Sequence, residues 1–154
     1  TTSCRRSIQA TMIIDATDLI LGRMAAQVAK RAILGEEIAI INAEKAVITG
    51  DKKGIVEKYR HRAVYRGQPK TGPFFFTKEN LFVKRAIRGM VPHKRPKGRD
   101  ALKRIKCYIG VPEEFKDKKT EVLSGVHVSK MQNLKYISVK EICHLMGRKD
   151  PREL

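Results

Sequence analysis

The period of apolar positions changes several times along the chain, and each change predicts an element. Met12-Ile-Ile-Asp15 is a short continuous apolar run and reads as a buried strand. After a turn at residues 16–18, apolar residues recur at Leu21, Met24, Ala25, Val28 and Ala32, while Arg23, Gln27, Lys30 and Arg31 fall on the other side. That spacing predicts an amphipathic helix, stopped by Gly35. Ile38-Ala-Ile-Ile41 and Ala46-Val-Ile48 are again continuous and rich in β-branched residues, which suits strands covered on both faces. Strand, helix, strand is the βαβ pattern of a parallel sheet.

Residues 51–65 predict a second helix, weakened by Gly54, and residues 66–77, with two Gly, two Pro and three Phe, an irregular loop. Thr77 is placed to cap a further helix, with Glu79 in its first turn and Leu81, Phe82, Arg85 and Ile87 along it, ending near Gly89. Residues 93–99 read as a basic Pro/Gly loop, 100–105 as a short helix and 106–109 as a strand. Ser138-Val-Lys-Glu141 is a capping box opening a last helix that runs through Met146 and stops at Gly147. Residues 1–11 lack periodicity and are expected to form a loose N-terminal tail ahead of one domain over 12–154. No internal repeat is visible. The expected fold is α/β: a three-layer α/β/α arrangement with a small, mainly parallel central sheet, one sheet in all, and extended basic loops.

Composition narrows the class. With 154 residues the chain fits one domain, and with no Trp its core rests on Ile, Leu, Val, Ala and Met. Cys4, Cys107 and Cys143 are odd in number and far apart, so neither a disulfide framework nor a zinc site is supported, and a reducing cytoplasm is the expected setting. No secretory signal or apolar run of spanning length is read.

Charge changes the picture most. Lys and Arg number 33 against 16 Asp and Glu, a net +17 that points to a polyanionic partner. Residues 58–78 carry net +6 and residues 84–106 net +9, so these two stretches hold +15 and the other 110 residues are almost neutral. Such asymmetry marks a binding face rather than solubility charge. Arg supplies eight of the sixteen basic positions in the two stretches, and Tyr59, Tyr65, Phe74, Phe75 and Phe76 lie among them. Guanidinium groups fork to phosphates and stack on bases, and aromatic rings offer base-stacking platforms, although the three Phe could equally anchor their loop to the core. His61 and His93 fall inside the basic stretches, where a phosphate contact and a solvated side chain are about equally expected.

Catalytic motifs are weak. Residues 12–32 resemble the first unit of a nucleotide-binding fold, but Gly22 stands in no G-x-G-x-x-G and the chain holds no G-x-x-x-x-G-K-[ST], so a structural βαβ unit is the better reading. Cys143 and His144 are adjacent, hence about 100° apart on a helix, and cannot act as a nucleophile and its base. Core packing suits Cys143 and partial exposure suits His144.

Several blocks, taken together, resemble one family. They are Asp15-Ala-Thr with Leu21-Gly-Arg-Met-Ala25, Ile41-Asn-Ala-Glu-Lys45 with Thr49-Gly50, Arg88-Gly-Met-Val-Pro-His-Lys94, and Gly98-Arg-Asp-Ala-Leu-Lys-Arg-Ile-Lys-Cys-Tyr-Ile-Gly110. In this order over about residues 12–115 they resemble the universal L-thirteen family of large-subunit ribosomal proteins. Thr71-Gly-Pro73 and Gly110-Val-Pro112 are similar to its archaeal and eukaryotic branch, and the compact C-terminus favours an archaeal origin. Residues 1–11 and those after about Phe115 match none of the blocks.

The resemblance implies a protein embedded in large-subunit rRNA, joining early in assembly, with neighbouring large-subunit proteins as further partners, located in the cytoplasmic ribosome. It implies no enzyme activity, cofactor, metal, membrane or small-molecule substrate. The residues expected to supply most phosphate contacts are Arg60, Arg62, Arg66, Lys70, Lys84, Arg85, Arg88, Lys94, Arg95, Lys97, Arg99, Lys103 and Arg104. Two alternatives stay open: a nucleotide-binding enzyme built on residues 12–32, and a free RNA-binding translational regulator.

Overall fold

The computed structural model describes residues 11–65, 75–132 and 135–147. Strand β1 (Met12–Asp15) leads into helix α1 (Leu21–Leu34), which returns the chain to β2 (Ile38–Ile41) parallel to β1, with Met12 opposite Ile38 and Asp15 opposite Ile41. Helix α1 turns its buried stripe of Leu21, Met24, Ala25, Val28, Ala29 and Ala32 to the core and ends where Gly35, at φ 115°, donates its N–H to the Ala32 carbonyl. A left-handed stop of this kind is what glycine tolerates without strain.

Strand β2 is buried along its whole length because it is the middle of the sheet, with β1 on one side and β4 (Ile105–Cys107), also parallel, on the other. On one face, Ile14, Ile38, Ile40 and Ile105 pack under α1, α3 (Glu79–Met90) and α4 (Pro96–Arg104). On the other, Ile13, Ala39 and Ile41 meet Phe115 and Tyr108. The α/β class and the small, mainly parallel sheet are as expected, and among the described residues the third layer is the 3-10 turn Glu113–Phe115 rather than a long helix.

The apolar run Ala46-Val-Ile48 does not join this sheet. After β2, Asn42 adopts φ 53° and the 3-10 turn Ala43–Lys45 swings the chain away. The following strand, β3 (Val47–Thr49), pairs antiparallel with β5 (Tyr136–Ser138) in a second, two-stranded sheet. The expectation of one sheet is therefore corrected: a buried apolar run reads the same whichever sheet receives it.

Helix α2 (Lys52–Arg60) opens on Asp51, whose carboxylate accepts the Gly54 N–H, and continues into a π-helical turn, His61–Tyr65. At α3 the N-cap is Lys78, with no side-chain capping bond, so Thr77 does not cap the helix. Helix α5 (Val139–Leu145) opens as its capping residue predicts, with the Ser138 hydroxyl accepting the Glu141 N–H.

Two family-like blocks prove architectural. The Asp15 carboxylate accepts hydrogen bonds from the Asn42 side-chain amide (3.0 Å) and from the backbone N–H and hydroxyl of Thr17. The Glu44 carboxylate accepts the Gly110 N–H at 3.0 Å, and the Asn42 N–H donates to the Gly110 carbonyl at 3.0 Å. These bonds tie the exit of β1, the turn after β2 and the loop after β4 together at the C-terminal ends of the parallel strands.

The stretch beyond Phe115 is equally built in. The Glu121 N–H donates to the Ile13 carbonyl beside β1, and the Val128 N–H donates to the Asp18 carbonyl. Leu123, Val126 and Val128 are buried, as are Ile137, Val139, Ile142 and Cys143.

Candidate nucleic-acid interface

One group of cations stands on a corner formed by the turn at residues 91–95 and the start of α4. The Arg95 N–H donates to the Pro92 carbonyl and the Arg99 N–H to the Arg95 carbonyl, at 3.0 and 3.1 Å. Gly98 is buried so closely against this turn that a Cβ there would lie 2.1 Å from the Pro92 carbonyl oxygen. Lys94, Arg95, Lys97 and Arg99 are all exposed on the corner, and none pairs with a carboxylate among the described residues. The first turn of α4 holds no acidic residue and no side chain caps it, so the positive end of the helix dipole adds to their field. The Pro/Gly content of residues 93–99 predicts a loop, but Pro96 occupies the first helical turn, where its fixed φ is an advantage, and Lys97 and Arg99 are helical.

A second group lies where the end of α2 meets α3. Tyr59 leans on buried Phe82 at a ring separation of 5.0 Å and on Phe75 at 6.2 Å. The Arg85 guanidinium stacks 3.7 Å above Phe75, and that of Arg62 lies 5.9 Å from the Tyr59 ring. Burial first, then the neighbouring Arg88 and Arg62 charges, pull the Arg85 pKa below its ordinary value, yet Arg remains protonated at neutral pH. Burial raises the Tyr59 hydroxyl, against the opposing pull of Arg62, which keeps it a neutral donor. Arg88 is exposed one turn beyond Lys84, which lies on another side of α3, close enough to Cys107 of β4 to lower its pKa against the effect of burial.

The remaining expected contacts divide. Arg60 is exposed at the end of α2. Lys103 pairs with Asp100 at 3.6 Å, and Arg104 donates to the Ala32 carbonyl at 3.4 Å, at the negative end of α1. Arg104 thus has a structural partner already. Arg66 and Lys70, with most of the loop expected at 66–77, lie outside the described residues.

Sequence reasoning missed a third basic concavity, of about 490 Å³, lined by Arg23, Thr49, Gly50, Lys130 and Lys135. Its cations come from two segments more than a hundred residues apart, so charge summed along the chain carries no sign of their convergence. Elsewhere the chemistry is inert. Burial pushes both Cys107 and Cys143 up to about 12, so they stay thiols at neutral pH, with Cys143 in the core and His144 exposed. Among the described residues no helix is long and apolar enough to cross a membrane.

A sequence model of the family Ribosomal protein L13 matches residues 9–114. The chain belongs to that family. Among its relatives are large ribosomal subunit proteins uL13 from Methanosarcina barkeri, 45% identical over 138 residues that cover 89% of this chain and 98% of the relative, and from Haloarcula marismortui, 41% identical over 138 residues covering 90% and 92%. That of Methanococcoides burtonii is 39% identical over 139 residues covering 89% and 98%. The family and archaeal branch expected from the ordered sequence blocks therefore stand. Membership in a family of structural ribosomal proteins removes the nucleotide-binding enzyme from consideration.

Proposed function

We propose that this L13-family chain is a structural constituent of the large ribosomal subunit that binds large-subunit rRNA and supports subunit assembly. The carrying observation is the corner of Lys94, Arg95, Lys97 and Arg99, four exposed cations held on a rigid turn-and-helix joint with no carboxylate partner among the described residues. RNA phosphates would replace the missing counter-charges, and the fixed backbone would set register while carrying no base information itself. In this reading Arg62, Arg85 and Arg88 supply further contacts around the α2–α3 cleft, Lys84 from another side of α3 and Arg60 from the end of α2, and Arg66, Lys70, Lys103 and Arg104 complete the set. Residues 12–154 act as one domain in this reading, residues 1–11 as a tail, and neighbouring large-subunit proteins take the surfaces RNA leaves open. Replacing Arg95, Lys97 and Arg99 together with Ala tests it. The variant is expected to fold but to be depleted from large subunits on sedimentation at moderate salt, and undiminished incorporation would overturn the assignment.

A further inference from the structure

The cleft between the end of α2 and α3 has the build of a base-binding pocket rather than a phosphate site. Its volume is about 230 Å³, below the roughly 300 Å³ at which pockets for drug-sized ligands begin, and suited to a single planar ring. Phe82, Arg85, Ala86 and Gly89 share one face of α3, at the helical spacing that lines side chains up, and Tyr59 and Arg62 close the opposite side. The Arg85 guanidinium carbon lies 3.7 Å from the Phe75 ring centroid, so a planar cation and two aromatic rings, those of Phe75 and Tyr59, line the cleft together. Phosphates are met by the edges of such groups and bases by their faces. Ala86 and Gly89 keep the floor low enough for a ring to enter, and a Cβ on Gly89 would meet nothing within 4 Å, so the space beside it is open.

We propose that this pocket takes one unstacked base of single-stranded rRNA, held against the Arg85 guanidinium and the Tyr59 and Phe75 rings, with Arg62 beside it for the adjoining phosphate. The inference rests on the rRNA-binding reading and adds to it a position at which the protein holds a base and not only the backbone. Every base has a π face, so the site selects an unpaired nucleotide more than a particular letter.

The test uses the full chain and two short oligouridylates, one carrying 2-aminopurine at its centre and the other an abasic residue there. The 2-aminopurine probe is expected to bind about ten-fold more tightly, with quenched fluorescence, because stacking of one base on an aromatic side chain is lost in the abasic probe. Arg85→Lys keeps the charge and removes the flat guanidinium, and Gly89→Leu fills the floor where nothing stands in its way. Both variants are expected to retain the circular dichroism of the parent and to lose the preference between the two probes, whatever their affinity for the abasic one. A preference that survives in both variants overturns the pocket. Incorporation into the large subunit without discrimination between the probes, at whatever affinity, also overturns the pocket but leaves the ribosomal reading intact. Failure to enter the subunit overturns both.

Discussion

Gly98 and Pro92 are in backbone contact: the Gly98 Cα lies so near the Pro92 carbonyl that an added Cβ would stand 2.1 Å from its oxygen and 2.4 Å from its carbon. Because both partners are main chain, neither can swing aside. Gly98→Ala must separate α4 from the turn that orients Lys94 and Arg95, and overpacking of this kind costs about 1–3 kcal/mol. Denaturant unfolding is expected to show that loss, together with weaker rRNA binding although no charge has changed. An unaltered midpoint would mean that the turn yields freely.

Cations on the described face differ in what they hold. Replacing Arg95, Lys97 and Arg99 with Ala should leave stability within about 0.5 kcal/mol per site, since these side chains are exposed and make no ion pair with a described carboxylate. The same change should flatten the dependence of log affinity on log salt by about two to three, as each lost phosphate contact removes most of one released counterion. Arg104→Ala is expected to behave in the opposite way. It removes the donor to the Ala32 carbonyl at the end of α1, so about 0.5–1 kcal/mol of stability goes with it and the salt slope changes little.

Asp15 makes the fold acid-sensitive in a definite direction. Burial pushes its carboxyl up, but the hydrogen bonds from Asn42 and Thr17 and the charge of Lys45 outweigh that, leaving the pKa below the usual 3.8. A carboxyl whose folded pKa is depressed stabilises the fold above its ordinary value, and the contribution is lost as pH falls below about 3.8 toward the folded pKa. Asp15→Asn is therefore expected to be less stable than the parent at pH 7, with the gap closing in acid. Urea titrations at a series of pH values measure it, and a gap independent of pH would show that the Asp15 charge is immaterial.

Periodicity was enough to place α1, β1, β2 and the capped start of α5, because each carries either a 3.6-residue stripe, a fully buried apolar run or a local side-chain cap. It could not assign β3 to the second sheet, since its partner Tyr136–Ser138 lies almost ninety residues on and the decision rests on a positive φ at Asn42. At the candidate interface, Arg and aromatic enrichment along residues 58–106 was legible as composition. Which cations already have partners, as Arg104 and Lys103 do, is a property of packing and was not. The concavity of Arg23, Lys130 and Lys135 is invisible to any window along the chain, as it exists only after α1, β3 and the segment before β5 have come together.

The C-terminal stretch gives the strictest test of what the fold requires. The family match ends at residue 114, and the ordered blocks end at about the same point. Yet Leu123, Val126, Ile137, Val139, Ile142 and Cys143 are each at most 4% exposed and belong to the main core. Removing everything beyond Phe115 would uncover those contacts, take away β5 from β3 and leave the Ile13 and Asp18 carbonyls without their donors. At about 1.5–3 kcal/mol for each of the five large buried aliphatic side chains, the loss is as large as the roughly 5–15 kcal/mol by which a domain of this size is stable. A chain ending at Phe115 is thus expected to show no cooperative unfolding, whereas full-length Val126→Ala should still unfold in one transition with a loss of about 2–3 kcal/mol, transfer and cavity costs together. Cooperative folding of the shortened chain would place the structural burden of the L13 fold entirely within its family-matching part and reduce the C-terminal segment to a covering.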